Sequence, residues 1–209
     1  MKGRIKTYKL GILRIRMGAI IIITTPIITT IVHALKTTSI IQAIIQPIPE
    51  VIAAITWTIA AAKLAKYNEK LKIGLVGTAI LTVALITQTI ATPLLIQQEQ
   101  TQIAKIASII LLATAPLLFI APILAAIALL RLEELGANKI FKMVGTIIIA
   151  STLMVATLTP LAFAGPQGQT ILATIVMIVE VIVGSLLIKA SNQELRILEK
   201  ETRTNIGSN

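Results

Sequence analysis

The sequence has no cysteine, so disulfides, thiolate nucleophiles, iron–sulfur clusters and cysteine-based zinc sites are excluded. Aspartate is absent too, and all nine acidic residues are Glu, which removes an aspartyl dyad and an aspartyl-phosphate intermediate. A single histidine, His33, cannot build a bis-histidine haem, an HExxH zinc site or a two-histidine iron site. No GxxxxGK[ST] or GxSxG motif occurs, and no Asn-x-Ser/Thr sequon. No lysine stands in the middle of an apolar run to carry a retinal Schiff base. General acid–base partners are therefore few. The chain reads as a non-enzyme, with no metal site and no cofactor. Charge is scarce as well: 13% of residues are charged, against roughly 25% in a soluble domain.

What is present is apolar surface. The 209 residues are 56% hydrophobic, with a mean hydropathy of +0.90, and too little polar surface remains to coat a globule in water. A spanning helix needs about 20 apolar residues. Residues 17–35 carry no formal charge, 37–62 carry only Glu50, and 73–98 and 106–130 carry none. The uncharged run 143–179 is too long for one span. The turn signal Ala164-Gly165-Pro166-Gln167-Gly168-Gln169 divides it into spans near 143–163 and 170–188, the latter holding Glu180. The fold class expected is an all-α integral membrane bundle of six transmembrane helices.

Basic residues orient the bundle. With six spans both termini share a side, and that side collects 17 of the 19 Lys and Arg; only Lys36 and Lys105 fall opposite. The expectation is a cell-membrane protein with both termini cytoplasmic: a basic segment over 1–16, the membrane domain over 17–188, and a tail over 189–209. The net charge of +10 lies between apolar runs, so its partner is the anionic inner leaflet and not nucleic acid. A signal peptide ending near Val32-His33-Ala34 is the competing reading; it would discard the largest basic cluster.

An internal repeat is visible. Shifted by 68 residues, 52–89 lies over 120–157 without gaps, and 12 of 38 positions are identical, Ile52, Ala60, Leu64, Gly77 and Thr89 among them. The odd spans also open alike, at Met17-Gly18-Ala19, Val76-Gly77-Thr78 and Val144-Gly145-Thr146. Three parallel helical hairpins, with Gly77 and Gly145 at equivalent close helix contacts, are the expectation; coincidence of small residues is its rival. The opening Leu10-Gly11-Ile12-Leu13-Arg14-Ile15-Arg16-Met17-Gly18-Ala19, with Arg131-Leu132-Glu133-Glu134-Leu135 and Ile140-Phe141-Lys142-Met143-Val144-Gly145, resembles stretches of uncharacterised archaeal multi-pass membrane proteins. The resemblance implies topology and source, and no activity.

Glu50 and Glu180 are the only ionisable groups well inside the spans. A charged carboxylate at mid-bilayer costs about 2.5–3.5 kcal/mol on the insertion scale. At 1.5 Å per residue, Glu180 lies about 13 Å from Lys189, and Glu50 about 20 Å from Lys63. Gln42, Gln46 and Glu50 are spaced i, i+4, i+8 and would share a helix face. Pro47 and Pro49 remove N–H donors just before the acid, so the second span should break there, with Glu50 at the start of its inner half. A broken helix with a carboxylate at depth suits an ion or solute site, for which Glu50, Gln46, Gln42 and Glu180 are the candidates. A proline kink with a hydrogen-bonded carboxyl is the plain alternative. The many threonines fit either a pore lining or bonding back to their own helices. His33 suits interfacial packing or a proton relay. Ile5, Tyr8 and Ile12 form a stripe that suits lying on the inner leaflet, and the tail suits a short solvated helix. The functional reading is a protein that binds or transports a small solute or cation through the broken second span. Its rival is an accessory subunit of a membrane complex. Further membrane subunits or a homo-oligomer fit either.

Overall fold

The structure is a computed structural model that describes residues 2–34, 38–97, 102–160 and 165–207. Among the described residues there is no strand. The chain forms α1 (Lys2–Ala34), α2 (Ser39–Ile45), α3 (Ile48–Tyr67), a 3-10 turn (Glu69–Leu71), α4 (Lys72–Gln97), α5 (Gln102–Glu134), α6 (Lys139–Leu158) and α7 (Pro166–Gly207). Six helical stretches are long and apolar enough to cross a membrane, with α2 and α3 together making the second. The side chain of His33, together with Lys36 and Ala164, lies outside the described residues, and so do the roles expected of them.

Short connections dictate antiparallel neighbours. Asn68 ends α3 and its Oδ1 accepts from the Lys70 N–H at 2.9 Å, which starts the 3-10 turn into α4. At the end of α5, Gly136 adopts φ +91°, which lets the Ala137 N–H reach the Leu132 carbonyl at 3.0 Å and the Gly136 N–H reach that of Glu133 at 2.9 Å. Asn138 then caps α6, accepting from the Ile140 N–H at 2.9 Å.

The spans pack in chain order into a closed ring. The helix α1 lies on α3, α3 on α4, α4 on α5, α5 on α6, α6 on α7, and α7 returns to α1. The ring is tight at the end that carries both termini. There Ile12, Leu71, Leu132, Phe141 and Val144 are almost wholly excluded from solvent, with Leu64, Leu187 and Leu195 beside them. Buried Glu194 of α7 closes this end, its Oε1 accepting from the Tyr8 hydroxyl at 2.9 Å and its Oε2 from the Asn138 N–H at 3.0 Å. Asn138 also donates through Nδ2 to Gln193, and Arg131 reaches the Lys70 carbonyl at 2.8 Å. In the opposite half the buried residues on α4 and α5, Ala91, Ala104 and Ala107, are small.

Three expectations are corrected. The stripe Ile5, Tyr8, Ile12 is continuous with the first span, and Tyr8 and Ile12 are buried in the protein core instead of lying on a leaflet. The tail is no separate solvated helix, because α7 runs unbroken from Pro166 to Gly207 and buries Ala190, Ser191, Leu195 and Leu198. Both corrections have one cause: the two apolar stripes face each other, so protein covers what lipid or water was expected to cover. Third, Gly77 and Gly145 are both at close approaches, but not at equivalent ones. Gly77 faces Ala121, Leu124 and Ala125 of the helix that follows it, whereas Gly145 faces Ala126 and Leu130 of the helix that precedes it. Both therefore press on α5, the longest of the central spans.

Candidate functional site

The second span breaks where its prolines stand. Gln46 and Pro47 form a turn between α2 and α3. Pro47 caps α3 with φ −79° and ψ −7° and has no side chain to bond the first N–H groups. Pro49 occupies the first turn, where a missing N–H costs least. The carbonyls of Ala43 and Ile45 lose the donors that a continuous helix would supply from 47 and 49. Glu50 follows in the first turn of α3, at the positive end of that helix's dipole.

From Glu50 inward, α3 presents Ala54, Trp57, Ala61 and Leu64 to the middle of the ring. These positions follow a seven-residue repeat of steps of four and three, which keeps them on one face. Across the ring α7 presents Val176, Glu180, Val183 and Leu187 in the same rhythm. Together with α1, α4, α5 and α6 they enclose a cavity of about 450 Å³. Its floor, at the end with the termini, is made by buried Ile15, Leu64, Leu71, Leu132 and Leu187. Its outer part is bounded by half-buried residues, including Glu50, Leu85, Leu118, Val155 and Glu180.

The walls are almost entirely hydrocarbon. Their neutral polar groups are already bonded within the protein: Thr78 donates to the Gly74 carbonyl at 2.8 Å, Thr152 to that of Ile148 at 2.7 Å, Ser151 to the same carbonyl at 3.0 Å, and the Trp57 indole N–H to that of Ile15 at 3.3 Å. The two carboxyls differ. Neither Glu50 nor Glu180 accepts a hydrogen bond from, or forms an ion pair with, any described residue, and both line the same cavity.

No known protein family, curated protein or solved structure matches this chain.

Of the four residues singled out in the sequence, the structure brings Glu50 and Glu180 into one cavity. Gln42 lies beyond the break and Gln46 within it, and neither lines the cavity. The spacing i, i+4, i+8 presumes a continuous helix, and the turn at Gln46-Pro47 interrupts it. Trp57 and Phe119 are lining residues that sequence reasoning did not assign to the site. Trp57 stands seven residues from Glu50, and that spacing was the available signal. Many of the threonines in the spans are back-bonded within their helices, as with Thr56 to Ile52 at 2.8 Å and Thr82 to Thr78 at 2.9 Å. Thr58 and Thr82 also pair across α3 and α4 at 3.0 Å.

Proposed function

We propose that this is a multi-pass membrane protein that binds or transports a small solute or cation in the central cavity, with Glu50 and Glu180 as the groups that hold it. The observation carrying this reading is the ring of six apolar helices around a cavity lined by two carboxyls that have no hydrogen-bond or ion-pair partner among the described residues. Carboxyls buried among helices are costly to keep. A pair without hydrogen-bond donors or counter-ions in the protein is explained by a ligand that supplies them. The break at Pro47 supports the reading, since it starts a helix whose first turn carries Glu50, a lining residue of the cavity.

The same proposal sets the terminus-bearing end in the cytoplasm, on the 17-to-2 division of basic residues, where that end meets anionic lipid. It includes an ancestral duplication of a helix pair. Supporting this, the matched residues Ala60 and Ala128, and Leu64 and Leu132, all line the cavity at its buried end. The archaeal resemblance of residues 10–19 belongs to the proposal as a statement of source.

A second reading, an accessory subunit without transport, draws on one feature. The outer halves of α4 and α5 flank an apolar recess of about 200 Å³ lined by Ile90, Leu94, Ile103 and Ile106, of a size to seat side chains of a partner helix. Reconstituted vesicles decide between the two. Solute and cation flux through the wild type that is reduced in both Glu50→Gln and Glu180→Gln supports the first. Absence of flux and of ligand binding in folded wild-type protein supports the second.

A further inference from the structure

The cavity's chemistry narrows what it takes, granted the reading above that it is a solute site. A small inorganic cation needs six or more oxygen ligands if it is calcium or magnesium, and any bare ion needs its hydration replaced. The cavity offers two carboxyls and three back-bonded hydroxyls, and its other walls are Leu, Ile, Val, Ala, Phe, Pro and Trp. Among the described residues no three acidic or imidazole groups converge to hold a metal ion. An anion is repelled by ionised carboxyls, and a neutral solute can donate hydrogen bonds to them but balances none of their charge.

A cation whose charge is wrapped in hydrocarbon meets every requirement. Its dehydration cost is low, its alkyl or aryl body covers the apolar walls, and its charge lies between the two carboxyls. The indole of Trp57, one heptad inward of Glu50, offers an aromatic surface of the kind that attracts a cation. The volume of about 450 Å³ lies within the range of roughly 300–1,000 Å³ usual for sites that take drug-sized molecules. We infer that the cavity binds a lipophilic organic monocation, an ammonium or phosphonium with apolar substituents, whose charge rests between Glu50 and Glu180 and whose body packs against Trp57 and Phe119.

The test uses the intact protein in phosphatidylcholine vesicles, with protein-free vesicles subtracted. Trp57 is the only tryptophan of the chain, so its fluorescence reports the cavity directly. Tetraphenylphosphonium is the probe, tetraphenylborate the control of the same shape and opposite charge, and sodium, potassium and magnesium ions the inorganic competitors. Expected are saturable binding of one tetraphenylphosphonium per chain with a change in Trp57 emission, no saturable binding of tetraphenylborate, and no displacement by the inorganic ions beyond general screening. Glu50→Gln and Glu180→Gln should each weaken binding at least tenfold. If those variants fail to fold, Ala125→Phe fills the cavity wall without touching either acid. It should weaken tetraphenylphosphonium binding more than binding of the smaller tetraethylammonium. Saturable sodium or potassium binding that depends on Glu50 would overturn the substrate class while leaving the cavity a solute site. Equal binding of tetraphenylborate would overturn the role of the carboxyls. No saturable binding of any probe to folded protein would overturn both this inference and the site reading it rests on.

Discussion

Replacing Gly77 with alanine tests a close backbone-to-backbone approach in the ring. A Cβ at 77 would stand 2.6 Å from the Ala125 amide nitrogen and 2.8 Å from both the Ala121 carbonyl oxygen and the Leu124 Cβ. Two of these neighbours are backbone atoms of α5 and cannot swing aside. Ordinary contact begins at 3.4 Å, so α4 and α5 must part locally by about 0.8 Å. In lipid the added methyl gains nothing from leaving water, and separation forfeits dispersion contacts along the most extensive helix interface of the molecule. Overpacking of this kind costs about 1–3 kcal/mol. The control is Gly184→Ala, whose nearest contacts, at 2.7 and 3.1 Å, are atoms of the Ile23 side chain, with a single backbone atom, the Ala19 carbonyl oxygen, at 3.2 Å. Reversible unfolding in mixed micelles with increasing dodecyl sulfate, followed by circular dichroism, measures both. Gly77→Ala should lose the stated stability, and Gly184→Ala clearly less. Equal losses, or a Gly77→Ala variant as stable as the wild type, would refute the argument that α4 and α5 meet backbone to backbone.

Other outcomes follow from the packed end of the ring and from its topology. Glu194→Ala leaves the Tyr8 hydroxyl and the Asn138 N–H without their acceptor and should cost about 1–3 kcal/mol; a double-mutant cycle with Tyr8→Phe in the same assay should show coupling, and strict additivity would count against a shared clasp. In this Cys-free chain, single cysteines at the exposed positions Glu69 and Glu134 should react with impermeant maleimide only after the membrane is opened, and labelling of intact cells from outside would invert the proposed orientation.

The spans and their number were legible because charge interrupts the apolar runs at nearly every turn. The break before Glu50 was legible because proline lacks a donor whatever surrounds it. The ring and its cavity were not. A soluble helix shows its inner face by contrast with a polar outer face, but here lipid-facing and cavity-facing residues are equally apolar. On α3, Ile52, Ile55 and Ile59 point outward and Ala54, Trp57 and Ala61 inward, and hydropathy cannot tell them apart. The pairing of Glu50 with Glu180 depended on α7 closing against α1, a contact between the two ends of the chain. The tail was misread because Leu195 and Leu198 are sparse among charges, and only the partner surface around Tyr8 and Ile12 explains their burial. The expected equivalence of Gly77 and Gly145 failed because small residues permit close approach to either neighbour, and identity in sequence does not choose between them.

Glu50 and Glu180, 130 positions apart in sequence, line one cavity bounded by all six spans. The most direct measurement places cysteines at both positions of this cysteine-free chain and treats the folded, vesicle-embedded protein with bifunctional thiosulfonates of graded length. A protease site engineered between residues 97 and 102 then reports whether the second and sixth spans are joined. Shared lining of one cavity predicts efficient cross-linking within one chain by short reagents, and its suppression by tetraphenylphosphonium. Cysteines that react singly with lipid-soluble maleimide and are joined by no reagent, in protein that retains its helicity, would contradict it.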